Sequence, residues 1–289
     1  MISGAPKVQH SPHDVVAAIP WAQRSPALIM ASHKLPHRVS FVVPALDEEA
    51  VIEGFLRELS ATIDAVLQSY EIILVDDGSM DSTGAIMDRL ARELPHMRVL
   101  HNRPNLGLGA AYRRGLAEAR FDYVMMLCGD GGLPASSLPA ILEKIGTADM
   151  IVPYMTNLKT IKTPFRYVVS RTYTHFFNLL SGHRLHYYNG LPVHRRDFLK
   201  QIDITSSGFA VQAEIILKLL KSGCTFVQVG VLAAEVKKAS SALRLKNVVS
   251  VALSVVELAR EVSRATPIKR SLGQNVVGPP PGTAPRKPY

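Results

Sequence analysis

The feature that most restricts the fold is a regular alternation between Val39 and Leu127 of short β-branched runs with helical stretches. Val39 to Pro44 is such a run and predicts a strand. From Asp47 to Leu67 the apolar residues Ile52, Phe55, Leu56, Leu59, Ile63 and Leu67 fall on one helical face. Strands are expected again at Tyr70–Val75, Met97–His101 and 122–127, with helices at Ser82–Leu94 and Leu108–Ala119 between them. Strands that alternate with helices imply right-handed βαβ crossovers and a mostly parallel sheet. In such sheets ligands bind beyond the carboxyl ends of the strands, so those ends are where chemistry is sought.

The second half is less regular. Helices are expected at Ser137–Ile145, Phe165–Leu180, Gln212–Lys221 and Leu245–Val262, and strands at Met150–Pro153 and Thr225–Val231. Residues 1–37 read as an irregular lead-in, 38–264 as the folded domain, and 265–289 as a disordered basic Pro-rich tail. The first 38 residues lack the apolar run of a secretion leader. No window reaches the ~18–20 apolar residues of a membrane span. Two distant cysteines, Cys128 and Cys224, suggest neither a disulfide framework nor a zinc site and fit a reducing cytosolic compartment.

Four strand-end motifs carry the chemistry. Pro44-Ala45-Leu46-Asp47-Glu48-Glu49 follows the first strand. Asp76-Asp77-Gly78-Ser79 ends the second, where a carboxylate can accept from a ribose hydroxyl or a base N–H; as a bland alternative either Asp is a turn former and Asp81 or Ser82 a helix cap. Asn105-Leu106-Gly107-Leu108-Gly109 opens the helix after the third strand, either as a phosphate cradle or as a tight turn. Cys128-Gly129-Asp130-Gly131-Gly132 follows the fourth. Asp130 there can supply a hard oxygen to a magnesium or manganese ion, or be a plain loop aspartate.

In that order the four motifs resemble the family 2 glycosyltransferases, with their GT-A, Rossmann-like α/β fold, over roughly residues 39–250. They are most similar to the polyprenyl-phosphate sugar synthases. Further matches are Gly190 with His194-Arg195-Arg196, Gly208 to Glu214, and Ser240 to Asn247. The resemblance implies that Pro44, Leu46, Glu48, Asp76 and Asp77 surround the nucleoside. Gly107 and Gly129 would permit close approach of phosphate, and Asp130 would hold Mg2+ or Mn2+ and the diphosphate. Arg195 and Arg196 would carry leaving-group charge, and inversion is implied. Where the family has Asp-x-Asp, this chain has Cys128-Gly129-Asp130. Tyr188-Asn189, Gln228-Val229-Gly230-Val231 and Ala239-Ser240-Ser241 are further departures.

The net charge is +9 and favours an anionic partner. From Ile151 to Lys200 there are eight Lys or Arg and one acid, Asp197, interleaved with aromatic residues. Such a stretch either lies in a membrane interface or packs on the core with a solvated charged face; no nucleic-acid-binding motif accompanies it. The expected reaction is sugar transfer from a nucleotide-sugar donor to a polyprenyl phosphate, at the cytoplasmic face of an anionic membrane. A soluble acceptor, with Glu214 as its general base, and a non-catalytic nucleotide-binding member are the alternatives.

Overall fold

The computed structural model describes residues 34–233. The expected helix at 245–262, the segment 240–247 and the 265–289 tail lie outside them. Strands β1 (Leu35–Ala45), β2 (Leu67–Asp76), β3 (Met97–His101), β4 (Tyr123–Met126), β5 (Met150–Met155), β6 (Val193–Arg195) and β7 (Phe226–Val231) form one sheet in the order β3-β2-β1-β4-β6-β5-β7. Every pairing is parallel except those of β6, which runs antiparallel to both β4 and β5. β5 and β7 therefore point the same way as β1 to β4. All six parallel strands release the chain at one end of the sheet, called here the crevice end.

The helices are α1 (Ile52–Val66), α2 (Thr83–Glu93), α3 (Leu108–Glu118), α4 (Leu138–Leu142), α5 (Leu158–Ile161), α6 (Pro164–Ser181), α7 (Arg196–Leu199) and α8 (Val211–Lys221). Side chains alternate across each strand, so two cores form. Val39, Phe41, Val43, Ile72 and Leu74 pack with α1, α2 and α4 on one face. Val42, Ile73 and Val75 pack with α3, α6 and α8 on the other. Ten consecutive residues of α8, Val211 to Leu220, are buried.

Two differences from the expected elements have clear causes. α1 starts at Ile52 rather than Asp47, because the acids at 47–49 are tied to the loop after β2. The strand β6 falls on the sequence Val-His-Arg, too short and too polar to stand out. At its centre His194 is fully buried, opposite Val124 and Met150. Burial drives its pKa down to about 3, with Gln212 opposing. His194 is thus neutral in the fold but protonates in the unfolded chain below about 6.5. The unfolded state then binds more protons, so stability falls as pH falls from 6.5 toward 3, by roughly 1.4 kcal/mol for each unit. His101 works in the opposite sense, because Asp76 first, and Asp88, raise its pKa against desolvation. Its contribution is complete below 6.5 and fades as pH rises through the raised value. Because His101 is common to both, the comparison is between proteins: from pH 7.5 to 5.5 the wild type is expected to lose stability, by urea unfolding, relative to His194→Leu.

Candidate active site

The carboxyl ends of β1, β2 and β4 are joined by backbone hydrogen bonds. Asp77 N–H donates to Ala45 O at 2.9 Å, and Gly129 N–H to Pro44 O at 3.0 Å. Pro44 is therefore buried between its neighbours, while Leu46 is exposed and Glu48 half-buried. Gly129 is there for close packing: a Cβ on it would lie 2.7 Å from Ala45 Cβ. The loops after β1 and β2 are zipped reciprocally. Met80 N–H donates to Asp47 Oδ1 at 2.8 Å, and Asp47 N–H to Ser79 Oγ at 3.1 Å. Glu48 N–H donates to Thr83 Oγ1 at 2.8 Å, and Ser82 N–H to Glu49 Oε2 at 3.0 Å. Asp47 and Glu49 of the first motif are thus largely structural, and they hold the crevice rim in one shape.

Asp76 and Asp77 are adjacent in sequence, yet strand alternation sends them to opposite faces. Asp76 is fully buried on the α2 side. It accepts from Ser79 N–H, His101 Nδ1 at 2.9 Å and Arg103 Nη1 at 3.0 Å. Burial raises its pKa, but the bonds from Ser79, His101 and Arg103 outweigh burial and keep it below the ordinary aspartate value. Asp77 turns to the α3 side. Its Oδ1 accepts from Asn102 Nδ2 at 2.6 Å and Leu106 N–H at 3.0 Å; its Oδ2 accepts from Asn105 Nδ2 at 3.0 Å and Gly107 N–H at 2.8 Å. A carboxylate offers about four acceptor positions, and all four are filled from within the protein. Asp76 and Asp77 therefore shape the loop that would face a nucleoside.

Gly107 and Gly109 are also placed differently from a phosphate cradle. Gly109 N–H donates to Ser207 O at 2.7 Å, and Gly107 N–H is taken by Asp77. A Cβ at Gly107 would come within 2.6 Å of Ser207 O, and one at Gly109 within 2.1 Å of Ser206 O. The glycines let the 205–208 loop lie across the start of α3, where it covers the amides that would otherwise meet a phosphate. Glu214 holds that loop from beneath. It is fully buried and accepts from Thr205 N–H at 2.8 Å, Ser206 N–H at 2.9 Å and Lys218 Nζ at 2.6 Å. Burial raises its pKa, but Lys218 and the two amides more than offset it. A buried, paired carboxylate of lowered basicity does not serve as a general base, so that expectation is corrected.

Arg195 and Arg196 lie at the wrong end of the sheet. Because β6 is antiparallel, Arg195 pairs with Tyr123, the first residue of β4, whereas Asp130 follows the last. Arg195 donates to Asp197 Oδ2 at 2.6 Å and packs over Phe198. Arg196 Nη1 donates to Ala119 O at 2.8 Å, and its N–H to Asp122 O. Neither guanidinium can neutralise charge at the crevice.

Asp130 remains beside the crevice. It is half-buried, and its Oδ1 accepts Gly132 N–H at 3.0 Å. The neighbouring Cys128 thiol is pushed upward, mainly by burial and further by the charges of Asp130 and Glu48. Glu48 follows β1 and Asp130 follows β4, and these two strands are neighbours in the sheet. A thiol kept protonated is no ligand for a hard cation. Among the described residues no group of three or more His, Cys, Asp or Glu could hold a metal. One or two carboxylates do fit magnesium, which takes few protein ligands and completes its shell with phosphate oxygens and water.

Across the crevice end, beyond β5, sits a cation that the motif reading passed over. Lys162 Nζ lies 3.2 Å from Ser170 Oγ, 3.4 Å from Tyr187 Oη and 5.0 Å from the Tyr187 ring centroid. Desolvation, and then Arg166, lower its pKa to about 8. No Asp or Glu occurs between Asp149 and Asp197. That absence of acids was the available signal.

The family model described as Glycosyl transferase family 2 matches residues 40–216. An undecaprenyl-phosphate mannosyltransferase of Micrococcus luteus is 36% identical over 118 residues, which is 40% of this chain and 47% of that protein. A dolichyl-phosphate beta-glucosyltransferase of Trichomonas vaginalis is 32% identical over 111 residues, 37% of this chain and 33% of that protein. The chain thus spans less than half the length of these curated relatives. Glucosyl-3-phosphoglycerate synthase of Mycobacterium tuberculosis, solved with phosphoglyceric acid, superposes with a TM-score of 0.62 over 86% of both chains at 19% identity. The same enzyme solved with Mn2+, UDP-glucose and phosphoglyceric acid gives 0.60 at 19% identity. These likenesses are of fold.

Proposed function

The chain belongs to glycosyltransferase family 2, and from that premise we propose that it moves a sugar from a nucleotide-sugar donor to the phosphate of a polyprenol at the cytoplasmic face of a membrane. The observation that carries this reading is the pairing of two unlike sides around one crevice. Asp130 and Glu48 stand on one side, and the acid-free stretch with Lys159, Lys162 and Arg166 on the other. The relatives named for undecaprenyl and dolichyl phosphate support the acceptor class. Among the described residues no helix is long and apolar enough to cross a membrane, so contact with lipid is peripheral in this reading.

An acceptor phosphate is already anionic, so its oxygen can attack the anomeric carbon without a strong base. The bond to the donor diphosphate breaks as the new bond forms. Catalysis then consists of positioning and of charge stabilisation. Lys162 and Arg166 hold the acceptor phosphate, while Asp130 and Glu48 would hold Mg2+ or Mn2+, which when bound would supply neutralisation of leaving-group charge. Zipped loops after β1 and β2 keep the nucleoside end fixed.

A second reading is favoured by Cys128, which replaces a carboxylate of the usual metal motif: a member that binds a nucleotide without transfer. Purified protein with Mg2+ or Mn2+ and UDP-, GDP- or CDP-linked sugars, given vesicles of polyprenyl phosphate, separates the two. Label from one donor is expected to pass into the lipid extract. Binding with no transfer or hydrolysis of any donor supports the second reading.

A further inference from the structure

The large apolar side chains exposed on the described surface are not scattered. All except Phe176 and Leu179 lie at or near the crevice end. Leu46, Met80 and Leu106 follow β1, β2 and β3. Leu232 follows β7, and Phe209 follows the 205–207 loop, which touches the start of α3. Phe165, Val168 and Val169 stand on the first turns of α6, 68%, 61% and 44% exposed.

α6 runs from the crevice end to the far end. Its start adjoins Lys162, which contacts Tyr187. Just past its end His183 packs on Phe226, the first residue of β7. Phe176 and the 72%-exposed Leu179 are therefore displaced toward the far end. Charge divides the crevice end as well. Asp47, Glu49 and Asp81 line the loops after β1 and β2, so that rim is acidic. The side formed by α5 and α6 has Lys159, Lys162 and Arg166 and no acid.

We propose that the crevice end, on its α5–α6 side, is a docking face for an anionic phospholipid surface, with Phe165, Val168, Phe209 and Leu232 entering the lipid and Lys159 above its headgroups. This orientation rests on the polyprenyl-phosphate reading and goes beyond it. The molecule stands upright with the crevice toward the lipid, rather than lying with α6 flat in the interface. Apolar patches rimmed by cations are what an anionic interface takes up. Docked this way, a phosphate at headgroup depth meets Lys162 without leaving the membrane.

The test is co-sedimentation of the full chain with vesicles of phosphatidylglycerol and phosphatidylcholine, against phosphatidylcholine alone. Binding is expected only to the anionic vesicles. Phe165→Ser with Val168→Ser should weaken it roughly tenfold or more, Lys159→Gln several-fold, and Leu179→Ser not measurably. If Leu179→Ser is as damaging as Phe165→Ser, α6 lies flat and the upright orientation is wrong. Hydroxyl-radical labelling without vesicles should modify Phe165 and Phe209 readily. Protection there, or a dimer that Phe165→Ser dissociates, means that the chain itself or a second copy covers the face, and overturns the proposal. Donor hydrolysis without vesicles reports the transferase reading separately. Hydrolysis without vesicle binding refutes the docking face alone.

Discussion

Asp130→Asn is expected to lower sugar transfer by roughly 10²–10³-fold, the cost of removing one group that stabilises leaving-group charge, while leaving the melting temperature almost unchanged. The two halves of that expectation come from one observation. Asp130 does little for the fold: it is half-buried and accepts a bond from Gly132 N–H, which an Asn oxygen can also accept. Its substitution removes a charge where the proposed ion binds. With Cys128 unable to replace it, Glu48 is the other nearby carboxylate. The variant should therefore need more Mn2+ or Mg2+ for half-maximal activity, and raising the metal concentration should recover part of the rate. Kinetics at several metal concentrations, with a thermal melt, check this. A variant within threefold of the wild-type rate would show that Asp130 does not carry diphosphate charge.

How much of this was legible from the sequence depends on what kind of signal each feature leaves. The strands β1 to β4 and helices α1 to α3 were readable because apolar spacing records burial, and burial is what forms them. β6 was not, since three residues cannot show a period. Missing β6 had a consequence. Motif order places Arg195 and Arg196 in the right region of the chain, but only the antiparallel sense of β6 reveals that they emerge at the far end of the sheet. The Asp76-Asp77 pair held more information than its resemblance to a nucleotide motif. Period-two alternation already says that adjacent side chains face opposite ways, which is how two carboxylates coexist at one strand end. Gly107 and Gly109 were ambiguous in principle. A glycine records that something comes close, and here that is Ser206 and Ser207, nearly 100 residues later in the chain. Lys162 was hidden because a charge count does not say which cation is desolvated.

The same contact with Ser206 and Ser207 leads to the largest expected effect on stability. Glu214→Ala should destabilise the protein by roughly 3–5 kcal/mol, the usual cost of breaking a buried ion pair by removing one partner. Four donors lose their acceptor at once: the ammonium of Lys218, the amides of Thr205 and Ser206 and the Thr205 hydroxyl. Lys218, itself buried, would lose the carboxylate it pairs with and keep Asp203 O at 2.7 Å. The 205–208 loop would then loosen from the start of α3, where Ser207 O receives Gly109 N–H. Because the folded-state pKa of Glu214 is lowered, its stabilisation is complete above about pH 4.5 and withdrawn as pH falls through the folded value. Glu214→Ala should therefore be the less acid-sensitive protein below pH 5, though less stable overall. Replacing both partners, Glu214→Leu with Lys218→Met, should restore a large part of the loss, since neither charge is then left buried alone. Urea unfolding of the wild type, Glu214→Leu, Lys218→Met and the double variant measures this cycle. The catalytic alternative predicts something different for Glu214→Gln: a loss of turnover of ~10²-fold or more at unchanged stability. Lowered stability with turnover per folded molecule retained would identify Glu214 as the support of the loop rather than a base.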